Sequence, residues 1–433
     1  MLKKYLKQHP EPTLGSIYYC GTQQIKQVGM QPATFVLSNG QSSQLFGIQT
    51  CHSSWACPRC TALQMAKYGN RIACAIDALK TWHKQSAFMM TFTIPHSKYF
   101  KAKTLFEILI QTWKRFVHAG NHKARLDKTR KNKQLHGNDP YGAFREQLDI
   151  RYHVRIYEFT WSEQNGWHPH IHALFWVPDT NWDKVLNYEQ SLQDRWWECA
   201  RQSTIAVLSK LNTSDEDRKH VPDRVNKFYA DWRKNPKTGH RSAYFSKDKS
   251  GALTRQKSSY YISGKSWTGD KEVSSGYNKL AREGDFSPYQ LLVEANRNPQ
   301  QRDKYLKLYV EYAVATRGKR RIQFSKSNIN QIVTKWKLTQ SYTESLKKKF
   351  TERVAEKYRV VCWFTEQQWL RICHLDSELP IISQILALAK KPDGKKLIEY
   401  LLLQYDVDIG NNPSHRYESF IENILNPIAD DVA

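Results

Sequence analysis

The sequence predicts an α+β protein with a cysteine-rich element near its N-terminal end and a mostly helical C-terminal region. Three observations carry that expectation. Two strand-like runs, "RYHVRIYEFTW" (151–161) and "NGWHPHIHALFWV" (165–177), meet at the turn signal Asn165-Gly166 and read as a β-hairpin. Segments with helical period stand before and after it. Cys20, Cys51, Cys57 and Cys60 gather in the first sixty residues, whereas Cys74, Cys199, Cys362 and Cys373 are scattered like ordinary buried thiols.

Taken in order, residues 61–82 carry Met65, Tyr68, Ile72, Ile76 and Leu79 at spacings of three and four, the mark of an amphipathic helix. "AFMMTFTIPH" (87–96) is aromatic and β-branched and ends at Pro95, which predicts a strand. Residues 104–117 return to helical period, and "KARLDKTRKNK" (123–133) is a basic run without a core pattern, a solvated loop or a DNA-facing insertion. In the hairpin, Pro169 cannot donate to a ladder, so the second strand is expected to begin near His170 and to leave His168 at the turn. Residues 182–212 look helical, 215–258 are polar and poorly patterned, and a helix is expected over 302–316. Beyond 330 the chain reads as mostly helical, without internal repeats or low-complexity tracts.

A chain of 433 residues suggests two or three modules. Its 66 Lys+Arg against 41 Asp+Glu leave a net charge of +25, which favours a polyanionic partner, nucleic acid before membrane. No apolar run approaches the roughly 20 residues of a membrane span. The start, MLKKYLKQHP, lacks the apolar segment of a secretory signal, so a cytoplasmic location without a disulfide framework is expected.

On a strand, residues two apart share a face, so His170 and His172 project side by side. Counting from a turn near Asn165 sets Glu158 of the partner arm opposite Ile171 and Ala173, close to both imidazoles. A carboxylate with imidazoles and open positions suits Mn²⁺ or Mg²⁺ acting as a Lewis acid on a phosphate, with Zn²⁺ as an alternative. His168 competes with Glu158 to complete the site, and packed core histidines are the bland explanation. Cys57 and Cys60 form a CPxC knuckle that, with Cys20 and Cys51, supplies the four ligands of a structural zinc site; His52 is the substitute for Cys20. Candidate nucleophiles are Tyr261 and Tyr260, with Lys265 one helical turn beyond Tyr261. A nearby ammonium lowers the cost of the phenolate, although tyrosines near lysines are commonplace.

"TFTIPH", "NGWHPHIHALF" and the Tyr/Lys segment, in that order, resemble the three motifs of HUH endonucleases and, more narrowly, the replication initiator (Rep) proteins of rolling-circle plasmids. The cysteine segment "IQTCHSSWACPRCTALQMAKYGNRI", the tyrosine segment "YYISGKSWTGDKEVSSGYNKLAREGDFSPYQLL" and the basic block "EYAVATRGKRRIQFSK" extend the likeness from about residue 20 to 330.

The resemblance implies a central antiparallel sheet flanked by helices. It divides the chain into a cysteine-rich zinc-binding segment (15–82), a catalytic domain (85–295) and a helical region for DNA or partners (300–433). His170 and His172 match the metal pair, with Glu158 or His168 completing it. Tyr261 matches a nucleophile that cuts single-stranded or extruded-hairpin DNA at a plasmid or phage origin. The cut leaves a 5′-phosphotyrosine and a 3′-OH for a host polymerase, with a host helicase as a further partner. Arg317, Lys319, Arg320 and Arg321 would meet the phosphates of the origin duplex.

Two departures from the family pattern stand out. The spacing from Tyr261 to Lys265 is four rather than three, which keeps Tyr260 open and adds Tyr244, three residues before Lys247, as a third choice. Position 257 is Lys where some members place a terminating glutamate. The rivals are a transposase of the same superfamily, disfavoured because Tyr260 and Tyr261 are adjacent, and a non-catalytic zinc-containing DNA-binding regulator.

Overall fold

A computed structural model describes residues 5–6, 8–11, 14, 17, 19–25, 33–38, 40, 43–126, 140–211, 214–234, 242–256, 284–325, 329–350, 359–375 and 381–407. Along the chain run β1 (Ala33–Ser38), β2 (Ser43–Phe46), α1 (Pro58–His83), β3 (Gln85–Thr93), α2 (Ala102–Leu126), α3 (Pro140–Gln147), β4 (His153–Ser162) and β5 (Gly166–Pro178). After a 3₁₀ stretch at Asp179–Tyr188 come α4 (Glu189–Leu211), α5 (Asp215–Lys234), β6 (Ala243–Phe245), β7 (Asp285–Phe286), α6 (Pro288–Arg297), α7 (Arg302–Thr316) and β8 (Ile322–Phe324). The chain continues through α8 (Ile329–Phe350), β9 (Arg359–Thr365), α9 (Glu366–Leu375), α10 (Ile381–Leu388) and α11 (Gly394–Leu403). No helix among the described residues is long and apolar enough to cross a membrane.

Contacts divide the chain into two units, Ser53–Ser345 and a second made of Met1–His52 with Leu346–Ala433. The first holds a six-stranded antiparallel sheet in the order β6-β3-β5-β4-β7, with β8 also paired to β4. Alternation along its strands makes two different faces. On one, Phe92 packs against Trp113, Phe116 and Trp196, Phe88 against Phe144 and Phe175, and Phe106 against Tyr157 and Phe159. This aromatic layer joins the sheet to α2, α3 and α4. On the other face Met89, Val154, Ile156, Leu174 and Trp176 meet Ile72, Ile76 and Leu79 of α1 and Ile329, Val333 and Trp336 of α8. The central antiparallel sheet flanked by helices is thus present.

Local chemistry sets the helix ends. Cys57 caps α1 by accepting the Cys60 amide, Pro58 occupies the first turn, and Lys84 ends the helix in the left-handed region (φ 51°). Ser287 and Gln290 form a reciprocal capping box on α6. Part of 215–258, unpatterned by sequence, is the helix α5. Its buried residues Val221, Val225 and Tyr229 are spaced by four, a stripe too narrow to stand out in so polar a segment.

In the second unit β1 is central, paired antiparallel with β2 and β9. Its core joins Val36 and Phe364 to Trp369 and Ile372 of α9, Ile381 and Ile385 of α10, and Ile398 and Leu402 of α11. The C-terminal region is helical as expected, with one addition. "RVVCWFT" forms β9 because its β-branched and aromatic residues pair with β1 near the other end of the chain.

Candidate active site

The hairpin β4–β5 closes through residues 163–165, with Ser162 paired to Gly166. Gly166 adopts φ +72°, and a Cβ there would lie 2.6 Å from Lys98 Cα, so glycine is required on both counts. This short connection sets Thr160 opposite His168, Glu158 opposite His170 and Ile156 opposite His172. The expected register, with Glu158 opposite Ile171 and Ala173, is therefore corrected: Glu158 faces His170 directly.

The expected start of the second strand is corrected as well. β5 begins at Gly166 and includes both His168 and Pro169. Pro169 is tolerated because β3 pairs only as far as His170. The Tyr157 amide donates to Arg321 on the far side of β4. Ladder alternation then turns the imino nitrogen of Pro169 away from β4, to the side where β3 has ended.

His172, His170 and Glu158 share the face on which α1 and α8 pack, beyond the apolar part of that layer. Glu158 Oε2 lies 3.3 Å from His170 Nε2 and 3.4 Å from His172 Nε2. One ligand atom from each of the three falls within 4.8 Å of the others. Burial pushes the Glu158 carboxyl up, but the His172 charge and hydrogen bonds from both imidazoles outweigh it and hold the group well below its ordinary value. Its second oxygen, Oε1, is buried without a hydrogen-bond partner.

Each imidazole has its other nitrogen engaged. Thr91 Oγ1 lies 2.9 Å from His172 Nδ1, and the His168 carbonyl lies 3.5 Å from His170 Nδ1. Donation by Nδ1 to these oxygens would free both Nε2 atoms for a cation in place of their bonds to Glu158. Donor atoms 3.3 and 3.4 Å from the carboxylate oxygen, all within 4.8 Å of one another, suit an ion bound at about 2.0–2.2 Å from each. With the orphaned carboxylate oxygen, the donor set fits a divalent cation that retains open positions.

His168 stands outside this trio. Its ring stacks on His96 at 4.5 Å between centroids and lies 5.2 Å from that of His170. Burial pushes the His96 imidazole down from its ordinary value. His96 ends the "TFTIPH" stretch, and its place in the imidazole row was the one member not anticipated from spacing.

The four cysteines Cys20, Cys51, Cys57 and Cys60 bring their sulfurs within 4.8 Å of one another. The Cys51 amide donates to Cys20 Sγ at 3.4 Å and the Cys60 amide to Cys57 Sγ at 3.5 Å, contacts that favour thiolates. Four sulfurs without an open carboxylate or water position match a closed structural zinc set. His52 is exposed, 3.0 Å from Thr50 Oγ1, and does not belong to the group.

Tyr260, Tyr261 and Lys265 lie outside the described residues. Gln256, the last described residue before them, bridges Ala87 on β3. Tyr244 on β6 pairs with Thr91, which pairs with His172, so it occupies the imidazole face two strands from the histidine. Lys247 is ion-paired with Glu189. In the basic block, Arg317, Lys319 and Arg320 are exposed. Arg321 differs: it is buried, donates to the Ser54 carbonyl at 3.3 Å, and holds its guanidinium 5.2 Å from the Trp55 ring.

No protein-family model matches the chain, and no solved structure matches it. Among curated proteins, one named "Protein rep" from Streptomyces lividans is 27% identical over 165 residues. That match covers 34% of this chain and 34% of the relative, so the chain spans about a third of its length.

Proposed function

We propose that the chain is a rolling-circle replication initiator that nicks and transfers one strand of origin DNA. The observation that carries this is the Glu158–His170–His172 donor set at the end of an otherwise apolar sheet face. The similarity of a third of the chain to "Protein rep" and the net charge of +25 support it.

A bound Mn²⁺ or Mg²⁺ supplies Lewis-acid polarisation of the scissile phosphate at this site. Glu158, His170 and His172 would hold it, with Thr91 and the His168 carbonyl orienting the two rings. Tyr261 follows Gln256 by five residues, a reach of up to about 17 Å from the edge of β3. Its phenolate, favoured by Lys265, attacks phosphorus as the P–O3′ bond breaks. The 5′-phosphate stays on tyrosine and the leaving oxygen becomes a 3′-OH primer. The cysteine group would hold Zn²⁺ in a structural role. Arg317, Lys319 and Arg320 contact phosphates of the origin duplex, a role for which buried Arg321 is not placed.

On this proposal residues 15–82 form the zinc-binding segment, 85–295 the catalytic domain, and 300–433 a region for DNA or a host helicase. Incubating the protein with a labelled single-stranded origin oligonucleotide and Mn²⁺ tests it. A covalent adduct is expected that chelation and Tyr261→Phe abolish and Tyr260→Phe retains. Binding without any adduct across candidate origins would instead make the chain a zinc-containing DNA-binding regulator.

A further inference from the structure

Beyond the end of the imidazole row, the chain makes a tight turn whose corner residues point at solvent. Ser97 to Phe100 close a β-turn, with the Phe100 amide donating to the Ser97 carbonyl at 3.1 Å, so Lys98 and Tyr99 occupy its corner. Tyr99 is 85% exposed, the most exposed large apolar or aromatic side chain among the described residues. The Lys98 ammonium lies 5.5 Å from the centre of its ring. Lys101 and Lys103 follow, also exposed, with no acidic residue between 97 and 103.

The turn is anchored on three sides. Gly166 at the tip of the hairpin packs its α-carbon so closely on Lys98 that no Cβ would fit. His96, just before the turn, stacks on His168. Phe100, its last residue, packs edge-on against Phe228 of α5 at 6.0 Å. A rigid corner therefore presents a bare aromatic ring and a cation at a set distance from His168, His170 and His172. Beyond its contact with Lys98, a ring this exposed adds little to folding, whereas such a ring can stack a nucleotide base while the lysine meets the adjacent phosphate.

We propose that Lys98 and Tyr99 form a single-strand subsite. Tyr99 stacks a base next to the nucleotide whose phosphate reaches the histidine–glutamate site, and Lys98 holds the phosphate between them. The proposal rests on the strand-transfer reading of that site and assigns Tyr99 a positioning role.

The test is binding, in chelator, of a fluorescent oligothymidylate of about 20 nucleotides, longer than a typical single-strand site. Tyr99→Ala is expected to weaken binding about 5- to 100-fold, while Tyr99→Trp stays within about twofold of wild type. Tyr400→Ala removes another exposed ring, 70% exposed on α11, and is expected to leave binding unchanged. With 2-aminopurine placed at successive positions, quenching is expected at one position in wild type and absent in Tyr99→Ala. Equal affinity and equal quenching in wild type and Tyr99→Ala, alongside normal adduct formation, overturns the subsite and leaves the proposed function intact. A wild-type protein that neither binds the strand nor forms an adduct overturns both.

Discussion

The two faces of the β3–β5–β4 sheet are made from alternate residues of the same strands, yet they are built to different rules. On one, Ile171, Ala173 and Phe175 continue a mainly aromatic and aliphatic layer with Phe88, Phe92 and Trp196, into which Arg155 and His153 of β4 also pack. The other begins in the same way with Leu174, Trp176 and Met89, then changes within one residue pair to Thr91, His172, His170 and Glu158. Leaving a buried carboxylate oxygen unpaired costs roughly 1–3 kcal/mol or more. Apolar residues at the same positions would avoid that cost. The first face is therefore built for stability, and on the function proposed above the polar end of the second is built for a ligand.

The sharpest way to break this contrast is to remove one imidazole. His172→Ala is expected to lower the rate of covalent adduct formation on single-stranded DNA by about a thousandfold or more, since several kcal/mol of metal-assisted stabilisation is lost. Its urea midpoint should fall little. A variant that keeps its adduct rate but unfolds easily would make the histidines packing residues after all.

On the opposite face Trp196→Ala should do the reverse. It empties a fully buried site and removes the hydrogen bond from the indole to the Thr93 carbonyl, 2.6 Å long. A loss of about 3–5 kcal/mol in equilibrium unfolding is expected, with Mn²⁺ affinity of the folded fraction retained.

A finer probe of the polar end is Thr91→Val, which keeps shape but removes the hydroxyl at His172 Nδ1. Metal affinity by calorimetry should fall about 10- to 100-fold, with stability within about 1 kcal/mol of wild type. The smallest effect is in acid. In chelator, Glu158 is held below its ordinary value, so the stabilisation it contributes is complete above the unfolded-state value of about 4.3 and fades as pH falls through the depressed native one. Unfolding curves of wild type and Glu158→Gln should therefore converge as pH drops below about 4, and curves that stay parallel would contradict the ion pairing.

Much of this was legible because periodicity is local. The helix from Met65 to Leu79, the strand Gln85–Thr93 and the helix over Arg302–Thr316 each carry enough apolar residues at one period to be recognised alone. The small sheet was not. β1 and β9 come from opposite ends of the chain, and neither short strand is distinctive until the other pairs with it. Arg321 looked like its exposed neighbours Arg317, Lys319 and Arg320. Its direction depends on Trp55 and the Ser54 carbonyl, contacts distant in sequence.

By itself the sequence determined that His170 and His172 share one side of a strand, because side chains alternate with a period of two whatever the fold; that His168 joins the same strand came from the structure. It also determined that clustered thiols, paired imidazoles and a large excess of positive charge are present. Only the tertiary structure decided which carboxylate joins which imidazole. Register depends on the length of the 163–165 connection and on the positive φ that Gly166 adopts. The hydroxyl behind His172 and the ring stacked on His168 come from β3 and the turn after it, segments that meet the hairpin only when the sheet assembles.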